Sequence, residues 1–145
     1  MIRPLLLTLA LLAPPAAAQE GAIRQLDLSA MELASHPLFT GVEAAFLTGA
    51  FDAEGLYAAN SVMRRGSTFP PHAHPDLRLT VVISGTMYLG EGAEIRPEEA
   101  RPYPAGTIAL TPPGTMHYML ALEDDVRILE IGSGPSGTEF AQDPS

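Results

Sequence analysis

From Leu56 onward, apolar and polar positions alternate in short runs separated by glycine and proline. Runs rich in Val, Ile, Leu, Thr and Tyr predict strands at Leu56–Met63, Leu77–Ser84, Thr86–Gly90, Thr107–Thr111, Met116–Leu122 and Val126–Ile131. No run in this stretch keeps helix spacing over several turns, and no repeat of solenoid period is present. Several short strands at close spacing predict an all-β sandwich or barrel. Residues 19–55 are more weakly patterned. Ala44–Thr48 predicts one further strand. Ser29 followed by Glu32 predicts the cap of a short helix near Ala30–Ala34, with Pro37 ending it. Residues 133–145 open on Ser-Gly-Pro-Ser-Gly and read as a polar tail.

The N-terminus has a different pattern. Arg3 precedes the apolar run Leu5 to Leu12, then Pro14-Pro15, then Ala16-Ala17-Ala18. A positive start, a short apolar stretch and an Ala-x-Ala end predict a secretory signal peptide. The run is too short to span a bilayer, which takes about 20 apolar residues. The alternative is a buried N-terminal helix. The chain therefore divides into a signal peptide at 1–18, an N-terminal arm at 19–55, a β-barrel at 56–132 and a C-terminal tail at 133–145. The expected location is periplasmic or secreted, with no membrane contact once the signal is cleaved.

Composition narrows the chemistry. The 145 residues make room for one domain. Hydrophobic residues are 46% and charged residues 17%, enough for a core and too little charge for a disordered chain. All 8 basic residues are Arg, which excludes a Schiff-base or P-loop lysine. A net charge of -9 argues against a nucleic-acid partner or an anionic membrane surface. With Cys 0 there is no disulfide scaffold, thiolate ligand or thiol nucleophile. Chemistry must come from His, carboxylates, hydroxyls or a bound metal.

His72 and His74 stand two apart beside a predicted strand, so an extended backbone turns both imidazoles to one face. His117 lies in a later strand, after the turn Pro112-Pro113-Gly114. Three neutral imidazoles from rigid strands can hold a divalent metal; histidines satisfied within a core are the alternative. Asp76 shares the parity of His74 and is either a fourth ligand or a solvated turn carboxylate. His36, before Pro37, reads as an exposed loop residue. Met63, Met87, Met116 and Met119, with Phe69, Tyr88 and Tyr118, line an apolar pocket or fill the core. Met119 shares the parity of His117 and so faces the cavity. Glu123-Asp124-Asp125 predicts a solvated hairpin turn.

The spacing of these residues resembles a known family. One segment runs Gly66, five residues, His72-Ala73-His74, three residues, Arg78, six residues, Gly85. The second runs Gly106, five residues, Pro112-Pro113-Gly114, two residues, His117, three residues, Ala121. Together they resemble the two signature motifs of the cupin superfamily, directly over Gly66–Ala121 and by strand pattern over about Leu56–Gly132. The resemblance implies an all-β double-stranded β-helix, a jelly roll of cupin type, here with a short N-terminal helix or arm. It implies His72, His74 and His117 as metal ligands, in the manner of small exported single-domain cupins. Two positions depart from the pattern: the usual ligand Glu falls on Arg78 and the usual Asn on Ala121. Arg78 cannot ligate a metal. It either bends to the rim and pairs with an acid such as Asp76, or grips an anionic substrate, or weakens the metal site.

The resulting expectation is an exported cupin holding one divalent metal, Fe, Mn, Ni or Zn. Its activity would be that of a small metalloenzyme, an oxidoreductase of dioxygenase type first, a metal-assisted isomerase or hydrolase otherwise. The partner is a small organic molecule, and a homodimer is allowed. Arg78, Asp76, Met119 and Phe69 are the candidate residues around substrate or ligands. A non-catalytic ligand-binding or sensing module, with or without metal, is the alternative.

Overall fold

The structure, a computed structural model, describes residues 22–142. The segment expected to be a signal peptide, 1–18, lies outside the described residues. The strands are β1 (Ala34–Ser35), β2 (Val42–Thr48), β3 (Gly55–Met63), β4 (Thr68–Ala73), β5 (Arg78–Ser84), β6 (Thr86–Glu91), β7 (Arg101–Pro104), β8 (Ile108–Thr111), β9 (His117–Leu120), β10 (Val126–Gly134) and β11 (Glu139–Phe140). They form a 6-stranded sheet, order β1-β2-β3-β10-β5-β8, and a 5-stranded sheet, order β11-β4-β9-β6-β7. All pairings are antiparallel. This is the all-β jelly roll that the sequence predicts. Strands β2 and β11 draw parts of the N-terminal arm and the C-terminal tail into the two sheets.

No helix occurs among the described residues, so the short helix near Ala30–Ala34 is corrected. The Ser29 hydroxyl, expected to cap it, instead donates to the Asp27 carboxylate at 2.6 Å, which also accepts from the Ser29 amide at 2.9 Å. That local turn satisfies the donors a helix would have needed. The chain then extends into β1.

Two strands that the pattern did not predict are rich in proline. Strand β4 reads Thr-Phe-Pro-Pro-His-Ala, and its pairing with β9 shifts register between Phe69 and His72. The prolines sit at that irregularity, where a missing amide costs the ladder nothing. Strand β7, Arg-Pro-Tyr-Pro, is an edge strand, the other place where proline is tolerated.

The interior is graded in polarity. Along β10 the inward row runs Val126, Ile128, then Glu130; along β5 it runs Val82, Thr80, then Arg78. Val126, Ile128 and Val82 join Met63, Met87 and Met119 in the hydrophobic core. Each such side chain contributes roughly 1.5–3 kcal/mol by leaving water. Beyond this apolar end the same rows turn polar, and the polar end holds the site.

Gly85, between β5 and β6, has φ +74°, and a Cβ there would lie 2.3 Å from the Asp125 carbonyl oxygen. Gly106 has φ +88° but faces open space. Gly85→Val is therefore expected to destabilise more than Gly106→Val, which carries only backbone strain of about 1–2 kcal/mol. Urea unfolding of both variants checks this; equal costs would show that the hairpin yields to the side chain.

Candidate metal centre

The register of β4 against β9 sets His72 directly opposite His117. His74 follows one residue past the end of β4. The ring centroids lie 4.3 Å apart for His72 and His117, 4.8 Å for His72 and His74, and 5.6 Å for His74 and His117. One nitrogen from each ring falls within 4.8 Å of the other two, and all three residues are buried. The sequence sets the His-x-His pair beside β5; the fold puts His72 on β4, in the sheet facing β5.

Each imidazole is held by its Nδ1. His72 bonds the Pro70 carbonyl at 2.6 Å, His117 the Thr115 carbonyl at 2.8 Å and His74 the Gly137 carbonyl at 2.7 Å. A carbonyl only accepts, so Nδ1 carries the proton and Nε2 carries the lone pair. Burial lowers the pKa of His72 to about 3, with the neighbouring His117 adding to it. Burial and the Arg78 charge lower His74 to about 4. Burial lowers His117 as well. All three rings are thus neutral near pH 7. The Nε2 of His74 is buried with no hydrogen-bond partner among the described residues. Such an orphan costs about 1–3 kcal/mol, and a metal ion would supply its partner. The donor set fits a divalent metal held by three imidazoles.

Arg78 does not sit at a solvent-facing rim. It is 3% exposed. Its Nε lies 3.5 Å from Asp76 Oδ1, and its Nη1 lies 3.7 Å from Glu130 Oε1. Nη2 donates to Ser136 Oγ at 3.2 Å, and the guanidinium lies over the rings of Phe51 and Tyr57, 4.9 and 5.4 Å from their centroids. The expected acid partner is present, but the pair is buried. Asp76 is likewise neither a solvated turn residue nor among the clustered metal donors. Its carboxylate accepts from Tyr57 Oη at 2.6 Å and from Ser136 Oγ. Burial would raise its pKa, but these hydrogen bonds and the Arg78 charge hold it below the usual range. Ala121, where the family has Asn, is fully buried in the apolar core.

A cavity of about 140 Å³ opens beside His72 and His74. Its walls are largely aromatic, with Phe39, Phe46, Phe51, Phe69 and Phe140, and Met119 joins them. Phe69 and Met119 were expected there. Met63 and Met87 lie in the core instead, Tyr88 bonds Glu123 at the surface, and Tyr118 bonds the Arg96 backbone. His36 is not an exposed loop residue: it stacks on Phe39, with centroids 4.3 Å apart, and lines the cavity. Its Nδ1 accepts from the Leu38 amide at 3.2 Å, and burial lowers its pKa. Glu130 also faces the cavity and was not among the candidate residues. The signal for it was present. The β10 alternation puts Glu130 in the same inward row as Val126 and Ile128, a carboxyl where an apolar residue is the rule.

No family model and no curated protein match the chain. Solved structures do. A polyketide cyclase, RemF from Streptomyces resistomycificus, is 16% identical with TM-score 0.65, covering 85% of this chain and 89% of that one. A conserved protein with a double-stranded β-helix domain from Klebsiella pneumoniae is 18% identical with TM-score 0.66, covering 83% and 99%. A cupin-like protein from Thermotoga maritima is 23% identical with TM-score 0.57, covering 68% and 77%. Likeness at these identities speaks for the fold, which is the cupin double-stranded β-helix. The fold hosts enzymes, RemF among them, but 371 matching chains share it, so likeness alone selects no chemistry.

Two outcomes follow from the site. The unfolded chain protonates its histidines near 6.5, whereas the fold keeps His72 and His74 neutral down to about 3 and about 4. The unfolded state therefore binds more protons below pH 6.5, and stability of the metal-free chain should fall as pH drops from about 6.5 to about 4. Glu130, whose pKa burial raises, works in the opposite direction. Thermal midpoints across this window check the sign; His72→Leu should flatten the slope. Arg78→Met should cost about 3–5 kcal/mol, because it leaves two buried carboxyls without their cation. A urea-measured loss below about 1 kcal/mol would mean that the pair behaves as a solvated one.

Proposed function

We propose that the protein is a small exported metalloenzyme of cupin fold, with one divalent metal held by His72, His74 and His117 and a small organic molecule as substrate in the adjoining cavity. The observation that carries this reading is the buried, unpartnered Nε2 of His74 beside two further neutral imidazoles, each oriented through its Nδ1. A metal bound there, Fe, Mn, Ni or Zn, supplies Lewis acidity, and a redox-active one also supplies dioxygen chemistry. Three protein ligands leave coordination positions for other molecules. The protein's own part is to orient the imidazoles, to exclude water with the phenylalanine walls and to hold Glu130 facing the same space. A dioxygenase-type reaction comes first, a metal-assisted isomerisation or hydrolysis second.

A binding or sensing module is the second reading. Arg78, at the position of the usual ligand Glu, is already tied to Asp76 and Ser136, so it adds no catalytic group at the metal. Turnover separates the two readings. Export is supported by the Arg3, Leu5–Leu12, Ala16–Ala18 pattern. A homodimer is supported by the exposed Ile83, Ile108 and Leu110 on the outer face of the larger sheet.

The purified mature chain should bind about one equivalent of metal at neutral pH. His72→Ala, His74→Ala and His117→Ala should each weaken it strongly, since fewer ligands remain, while His36→Ala should not. Elemental analysis with metal titration decides this: no stoichiometric metal, or wild-type affinity in His72→Ala, refutes the site.

A further inference from the structure

Glu130 is the carboxyl of the cavity wall, and the three-histidine site leaves its chemistry unused. Its side chain is 10% exposed and lines the cavity. The nearest cation, Nη1 of Arg78, stands 3.7 Å away, beyond hydrogen-bonding distance. Arg78 is meanwhile drawn to Asp76 and Ser136 and covered by Phe51 and Tyr57. Arg78 borders the cavity, but two carboxyls lie beside its single positive charge, so the Asp76–Arg78–Glu130 group carries no surplus positive charge. An anionic ligand entering here would meet a carboxyl rather than a free cation.

The remaining walls set the ligand's size and character. A dry apolar cavity of about 150 Å³ is known to take a benzene-sized guest, and this one is about 140 Å³ with five phenylalanines around it. Ring faces and edges favour an aromatic or compact cyclic molecule. A buried carboxyl in such walls costs free energy unless something pairs with it. Burial raises its pKa, with Arg78 pulling against that, and in either protonation state the carboxyl offers an oxygen that accepts a hydrogen from a hydroxyl.

Building on the cavity as the substrate site, we propose that Glu130 is its specificity-determining residue. It hydrogen-bonds the hydroxyl of an uncharged, single-ring-sized molecule and excludes carboxylates.

The test uses the purified chain stripped of metal, titrated with phenol, toluene and benzoate by calorimetry. Its failure is then separate from failure of the metal site, which is judged without these ligands. Phenol should bind about tenfold more tightly than toluene or benzoate, the factor of one hydrogen bond to such a group. Glu130→Leu should erase the preference of phenol over toluene. Glu130→Gln, which keeps the volume but removes the acid, should raise benzoate affinity about tenfold relative to wild type by leaving Arg78 less neutralised. Benzoate binding wild type as tightly as phenol, an unchanged phenol-to-toluene ratio in Glu130→Leu, or no binding of any of the three would overturn the proposal. Should either variant fail to fold, the order of the three ligands on wild type decides.

Discussion

Holding three neutral imidazoles inside a β-barrel is the constraint on which the rest of the structure depends. A buried imidazole must satisfy one nitrogen with the protein and leave the other for its task. His72 and His117 do this in the same local way, each bonding the carbonyl two residues earlier in its own chain. Pro70 sits at the register shift inside β4, and Thr115 just before β9 begins. The irregularity in β4 is therefore what frees a carbonyl for the ring and sets His72 opposite His117. His74 lies past the strand and takes its carbonyl from Gly137, far away in sequence, which ties the C-terminal segment across the site.

That tie explains why the tail belongs to the structure of the centre. Gly137 holds His74, Ser136 bridges Asp76 and Arg78, and Phe140 walls the cavity while its strand pairs β4. The segment Ser-Gly-Pro-Ser-Gly looks like linker by composition, because its contacts are made by backbone amides and carbonyls and one hydroxyl. Hydrophobic pattern, which reports burial of side chains, does not register contacts of that kind.

Legibility in the sequence follows the same division. Strands β3, β5, β6, β8, β9 and β10 are legible because short runs rich in Val, Ile, Leu, Thr and Tyr are bounded by glycine and proline. Strands β4 and β7 are not, because proline removes the signal that sheet ladders normally leave. The histidine group is legible through spacing. Asp76 as the partner of Arg78 is legible from its nearness in sequence, but the burial of that pair and the part of Glu130, 52 residues on, are not. His36 shows the opposite failure. Beside a proline it looks like loop, yet Phe39, three residues on, offers it a ring to stack on and so holds it at the cavity.

Arg78 changes the electrostatics of the centre more than a lost ligand would. A carboxylate in the first shell would cancel part of a dication's charge. Here the three imidazoles are neutral, and the carboxyls nearest Arg78, those of Asp76 and Glu130, are on the guanidinium rather than among the clustered metal donors. A dication held here by three neutral ligands would keep its full charge and polarise whatever shared its coordination sphere more strongly than one with a carboxylate ligand. Of the two carboxyls Glu130 lines the cavity and Asp76 does not, so Glu130 is the one that would meet a ligand there. The cavity thus has imidazoles of His72 and His74 in one part of its wall and Glu130 with Arg78 in another, among five phenylalanines. With a metal on the imidazoles, a molecule in that space would be polarised from one side and hydrogen-bonded from the other, which is how a small barrel with few polar groups could orient a substrate.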